Sequence, residues 1–147
     1  MAIRSIRHSA IVVSDLEKSL QFYQGVLELE LYQRFTERGE FVDQLTGLQN
    51  VELEWAKLVI PGGGLIELLQ YHSHPDNQNV FVHGAASNKM GVSHIALTVD
   101  DLDKVYSDLK RAGFRTKSPV LLAPNGQVKI LYAHDPDGAI LELIEDL

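Results

Sequence analysis

The sequence predicts an α+β fold of two tandem βαβββ modules whose strands form a curved mixed sheet around a cleft. Three observations carry this. The first half opens RHSAIVVSDLEKSL and closes its last apolar run with LIELL, while the second opens SHIALTVDDLDKVY and closes with ILELI. Self-similarity of this kind marks a repeated supersecondary unit. Strong hairpin punctuation, PGGG at 61–64 and DPDG at 135–138, stands near the end of each half. Finally, each half passes from period-two alternation to a helical stripe and back to strand-like runs.

Superimposing His8 on His94 also brings Ala10 onto Ala96, Val13 onto Val99, Leu16 onto Leu102 and Lys18 onto Lys104, an offset of 86. Glu67 lies 75 residues before Glu142, so the second copy is 11 residues shorter. The extra length of the first copy falls around Gly39 or in the 61–64 segment. Module one runs from about residue 6 to 71 and module two from about 92 to 145, in one domain covering 1–147. The polar stretch 72–91 between them, HSHPDNQNVFVHGAASNKMG, reads as a linker.

Each module opens with a strand, His8–Ala10–Val12 alternating with Ser9–Ile11–Val13, and His94–Ala96–Thr98 with Ile95–Leu97–Val99. A helix follows. In the first copy Ser14 and Glu17 have capping-box spacing, with an apolar stripe of Leu16, Leu20, Tyr23 and Leu27. In the second, Asp100 or Asp101 caps, Leu102, Val105, Tyr106 and Leu109 form the stripe, and Gly113 ends it. Three strands then complete each copy, at 29–34, 53–60 and 65–71, and at 114–118, 129–134 and 139–144.

Composition narrows the function classes. Hydrophobic content of 45% with 22% charged residues is that of an ordinary globular protein. No apolar run approaches the ~18 residues of a membrane span. The opening MAIRSIRHSA lacks the apolar core of a signal peptide, so a soluble cytoplasmic protein is expected. With no cysteine, disulfides and thiolate metal sites are excluded. A net charge of −7 argues against nucleic acid as the partner.

The chemistry lies in four residues. His8 and His94 each share a strand face with an alanine, where there is room. Glu67 shares its face with Leu65 and Leu69, and Glu142 with Ile140 and Ile144. A carboxylate among apolar neighbours is costly to bury unless it is paired or binds a metal. A repeated fold explains repeated Leu and Val, but not one His and one Glu per copy. Together the four form a mixed nitrogen/oxygen set for one divalent ion, suited to Zn, Ni, Co, Mn or Fe(II), and make the cleft a metal-binding one. Other histidines carry less: His72 and His74 read as a solvated loop, His83 as linker, and His134 as a surface turn beside DPDG. Trp55 with Leu53 and Val51 reads as core, which leaves Glu52 and Glu54 as an outward acidic row.

The duplication, HSAIVVSDLEKSLQFY near the start and DPDGAILELIE near the end resemble the vicinal oxygen chelate superfamily over essentially the whole chain apart from the linker. That superfamily includes glyoxalase I, methylmalonyl-CoA epimerase, extradiol dioxygenases, fosfomycin-resistance enzymes and bleomycin-binding proteins. The resemblance implies that His8, His94 and Glu142 are the common metal triad and that Glu67 is a fourth ligand, the set of glyoxalase I-like lyases. It implies proton transfer next to a carbonyl through an enediolate, with Glu142 as main base and Glu67 as second acid/base. The implied substrate is a small molecule, a thiol adduct or an acyl thioester. A homodimer is expected. Departures from the family pattern bear on substrate. Ser93-His94 stands where epimerases carry paired histidines, and Gln49, with Glu52 nearby, where they carry a second glutamate. Val12 and Gln33 stand where glyoxalase I has glutathione-binding arginines, with Arg34 one residue away. An epimerase, an Fe(II) dioxygenase and a non-catalytic drug-binding protein are the alternative readings.

Overall fold

The apolar runs of each half become strands, and each half closes its own four-stranded mixed sheet. The computed structural model describes residues 2–77 and 84–147, and within them the chain is α+β. It divides into two compact units, Met1–Asn79 and Val80–Leu147. The first holds β1 (Ser9–Val12), β2 (Glu30–Glu37), β3 (Leu53–Val59) and β4 (Leu65–Tyr71), in the order β1-β4-β3-β2. The second holds β5 (His94–Thr98), β6 (Leu121–Leu122), β7 (Val128–His134) and β8 (Ile140–Asp146), in the order β5-β8-β7-β6. In each unit the first and last strands are neighbours and run parallel. The remaining pairs are antiparallel.

Both predicted hairpin turns close as expected. The amide of Ile60 donates to Gly64 O at 3.2 Å, and that of Asp135 to Ala139 O at 3.0 Å. The crossover helices are tied down alike in both copies. α1 (Leu16–Leu20) is capped by Asp15, which accepts from the Lys18 amide at 3.2 Å, so Asp15 rather than Ser14 is the cap. α3 (Leu102–Arg111) is capped by Asp101, accepting from the Lys104 amide at 2.9 Å. Each helix also gives its first amide to a side chain of the last strand, Leu16 to Gln70 and Leu102 to Glu145.

The copies differ where the first is longer. α1 continues as a π-helical stretch, Gln21–Val26, whose wider turn buries Phe22 and Tyr23 side by side with rings 4.9 Å apart. α2 (Glu40–Thr46), absent from the sequence reading, occupies the extra residues. It escapes notice because it buries only Val42 and exposes Phe41 and Leu45, so it shows no apolar stripe. Gly39 before it and Gly47 after it both have positive φ, and Asp43 accepts the amides of Asn50 and Val51 to fix the return. In the second copy the expected strand at 114–118 is reduced to a single bridge, Thr116 to Ala133, before the short β6. Pro119 stands between these two pieces, and its missing N–H cannot continue a ladder.

One face of each sheet carries the helix and the core. Ala56, Leu58, Ile66 and Leu68 are fully buried with Leu16 and Phe22 in the first unit. Ala133, Leu141 and Leu143 are fully buried with Leu102 and Leu109 in the second. On the opposite face of the first sheet, Val42 of α2 clusters with Val51, Leu53 and Trp55, the last three being core as expected. Truncating Leu68 or Leu143 to alanine leaves a cavity in a site with no exposed surface, and is expected to cost about 2–5 kcal/mol. Urea unfolding of the two variants measures it.

Candidate metal centre

The parallel pairing of first and last strands decides where the four predicted ligands lie. Ala10 registers with Glu67, and Ala96 with Glu142. A histidine two residues earlier on the same face reaches the carboxylate over the small alanine. His8 Nε2 stands 3.0 Å from Glu67 Oε2, and His94 Nε2 stands 3.2 Å from Glu142 Oε2. The structure thus brings the four predicted residues together in two matching His–Glu pairs, one per unit. The carboxylate side chains are only 13% and 17% exposed, and each has a histidine ring nitrogen as its near neighbour.

The donor set fits a divalent ion. Imidazole and carboxylate ligands sit about 2.0–2.2 Å from such a metal, so two of them at a right angle stand roughly 3 Å apart. Both pairs have that separation. In the second unit Ser93 Oγ donates to Ser87 O at 3.4 Å and lies 3.0 Å from His94 Nδ1. With Nδ1 engaged there, Nε2 is the ring nitrogen turned to Glu142 Oε2. A ring nitrogen held by an outer partner is the usual arrangement of a metal-ligating histidine.

Two neighbours were not anticipated. Lys57 registers with Glu67, and Tyr132 with Glu142. Lys57 Nζ is 3.9 Å from Glu67 Oε1 and 4.5 Å from the Trp55 ring centroid, while the Tyr132 ring lies 5.0 Å from that of His94. Both positions follow from counting outward from the PGGG and DPDG turns, a signal the sequence contains.

Other charged groups of the two units have partners away from these pairs. Glu54 is on the sheet face opposite Glu67, paired with Arg34 at 2.6 Å and His72 at 2.8 Å. Burial works against its carboxylate, but hydrogen bonds from His72 and Arg34 prevail and hold its pKa below the ordinary value. Arg34 also binds Glu17 at 2.7 Å, so it does not serve the face that carries Glu67. Glu52 pairs with Arg38 at 2.8 Å. His72 and His74 have separate partners, Glu54 and Ser73, and do not converge on an ion. His83 lies outside the described residues. Asp101, Asp103 and Glu145 cluster as a possible cation site. Lys129 already occupies it, 2.7 Å from Asp103 and 3.6 Å from Glu145, and α3 amides take Asp101 and Glu145.

His134 corrects the reading as a surface turn. It is 5% exposed, its Nδ1–H donates to Gly138 O at 3.1 Å, and Gly84 packs directly on its ring. A β-carbon at Gly84 would collide with that ring, and its φ of +87° is one that glycine adopts freely. Ala85 pins the same segment, donating to Gly138 O at 2.9 Å and accepting from Lys117 Nζ at 2.7 Å.

A family model, the Glyoxalase/Bleomycin resistance protein/Dioxygenase superfamily, matches residues 5–143. The chain is 31% identical over 147 residues to the uncharacterized protein YwkD of Bacillus subtilis, covering 99% of each. It is 29% identical over 152 residues to a lactoylglutathione lyase of Schizosaccharomyces pombe, covering 98% of this chain and 48% of that protein. The crystal structure of a glyoxalase family protein from Bacillus cereus superposes with a TM-score of 0.86 at 26% identity, covering 100% of this chain and 99% of the other.

His134 makes stability depend on pH. Burial pushes its imidazole below the ordinary 6.5, the bond to Gly138 O opposes this, and Lys117 and Arg115 add to the lowering. As pH falls the unfolded chain is therefore protonated first. The stabilisation is complete above about pH 6.5 and is lost as pH falls through the folded-state value. Melting temperatures between pH 7.5 and 5 should decline for the wild type and decline less for His134→Gln.

Proposed function

The chain belongs to the glyoxalase/bleomycin resistance protein/dioxygenase superfamily, and from that premise we propose a metal-dependent lyase or isomerase that moves a proton on the carbon next to a carbonyl. The observation that carries this is the pair of His–Glu contacts repeated at 3.0 and 3.2 Å. In this reading His8, Glu67, His94 and Glu142 together hold one divalent ion, with the two pairs drawn from one chain or from two chains of a homodimer. Zn, Ni, Co, Mn and Fe(II) all suit the ligands. When bound, the ion supplies Lewis acidity that favours negative charge on two neighbouring substrate oxygens. The similarity to a lactoylglutathione lyase supports a thiol adduct as substrate, and an acyl thioester is the alternative of the same chemistry.

The residues divide the proton transfer between them. Glu67 contacts His8 through Oε2 at 3.0 Å, and its Oε1 faces the Lys57 ammonium at 3.9 Å. A neighbouring positive charge lowers the basicity of a carboxylate. Glu142 is engaged by His94 through Oε2 alone among the described residues. Glu142, with no neighbouring ammonium, is therefore assigned as the base, with Glu67 as the second acid/base.

Elemental analysis of protein purified without added metal should find one divalent ion per set of four ligands, and His94→Ala should lose it while keeping the fold. Glu142→Gln keeps a ligating oxygen and removes the base. It should slow solvent-deuterium exchange into an α-hydroxyketone thiol adduct or acyl thioester by about 10²–10⁴-fold, far more than it weakens ion binding. Exchange that is more sensitive to Glu67→Gln would reverse the two roles. No exchange with any such substrate would hand the site to a dioxygenase or a binding protein. The homodimer is tested separately by light scattering at micromolar concentration, where a monomer alone refutes it.

A further inference from the structure

We propose that Lys57 is the anion anchor of this site, receiving a carboxylate that the substrate carries beside its reacting carbon. The inference rests on the metal-site reading above and names the substrate class that reading leaves open. Three features of the first unit support it.

The first is placement. The row across the sheet reads Gln33, Lys57, Glu67 and Ala10, so Lys57 lies on the ligand face next to a ligand. The equivalent position of the second unit holds Tyr132, so the cation is not a demand of the repeated fold.

The second is that the ammonium is held but not spent. At 3.9 Å from Glu67 Oε1 it is too far for a hydrogen bond, and among the described residues none is made from Nζ. Other lysines of this protein close on their carboxylates, Lys129 to Asp103 at 2.7 Å and Lys104 to Asp108 at 2.9 Å. Lys57 instead stands 4.5 Å from the Trp55 ring centroid with its side chain 26% exposed. The ring face attracts the cation and fixes its direction without using its N–H donors.

The third is charge. Two glutamates match the charge of a dication, so the Lys57 ammonium, 3.9 Å from Glu67 Oε1, is a surplus positive charge beside the ligands. A carboxylate on the substrate offsets that surplus, and one lysine balances its single charge. Gln33, next in the row, offers a neutral amide rather than a second cation. Arg34, the nearest arginine by sequence, is held on the other face by Glu17 and Glu54.

Trp55 is the only tryptophan of the chain and reports directly on Lys57. Zn-loaded protein is titrated by Trp55 fluorescence with succinate monohydroxamate, which adds a carboxylate to a chelating head, and with acetohydroxamate, which lacks it. The wild type should prefer the first by on the order of tenfold or more, as a charged hydrogen bond contributes. Lys57→Gln should bind both equally, and Lys57→Arg should restore the preference. Equal affinities in the wild type, or a preference that survives Lys57→Gln, overturn the proposal. A chelator-treated sample titrated with succinate separates the two readings. If zinc does not bind but succinate still shifts Trp55 in the wild type and not in Lys57→Gln, the anchor stands and the metal reading falls. If neither binds, both fall.

Discussion

The parallel pairing between the first and last strand of each module is the constraint on which the site depends. His8 and Glu67 are 59 residues apart in the chain, and His94 and Glu142 are 48 apart. Only the β1–β4 and β5–β8 ladders make them neighbours. The register is set by side chains on the other face, where Ile66, Leu68, Leu141 and Leu143 are fully buried. A slip of one residue would exchange these leucines with the glutamates and place a carboxylate in the core. Hydrophobic burial on one face of the sheet therefore holds the His–Glu geometry on the other.

The same pairing anchors the helix in each module. Val13 and Val99 donate their amides to Leu69 and Ile144, one residue beyond the register of the ligating strands. Three residues after each glutamate, Gln70 or Glu145 accepts the first amide of the crossover helix. Strand register, helix entry and ligand placement are thus one mechanical unit, used twice with the same offsets. That economy explains why the two His–Glu contacts agree to within 0.2 Å, at 3.0 and 3.2 Å.

Where the copies diverge, they do so on the ligand face and at the edges rather than in the pairing. α2 covers Trp55 and Leu53 in the first unit alone. Lys57 and Tyr132 give equivalent positions opposite characters, a cation over an indole and a phenol beside an imidazole. Edge strands differ too, β2 being eight residues long and β6 only two. Duplication supplies the symmetric His–Glu pairs, and these asymmetric additions are what distinguish the two copies.

The sequence by itself determined the duplication, the α+β class, both hairpin turns, the β4 strand to the residue and the matching placement of one histidine and one glutamate in each module. All of these are local or periodic: alternation marks a strand face, Gly-rich turns mark a hairpin, and a polar residue on an apolar face stands out against its own neighbours. The position of Lys57 was also determined, since hairpin register follows from turn length, although the sequence reading did not follow it outward. Tertiary structure alone decided the rest. α2 has no stripe because it buries a single residue, Val42, so only the surface it covers identifies it as a helix. β6 is broken because Pro119 falls where the edge ladder would run, and an edge strand has no second neighbour to hold it in line. His134 is buried because Gly84, 50 residues earlier, closes over its ring, a contact that no local pattern records. Arg34 and Glu54 are spent on each other because alternation turns both away from the ligands, and a sequence shows which residues share a face but not which partner across the sheet will claim them.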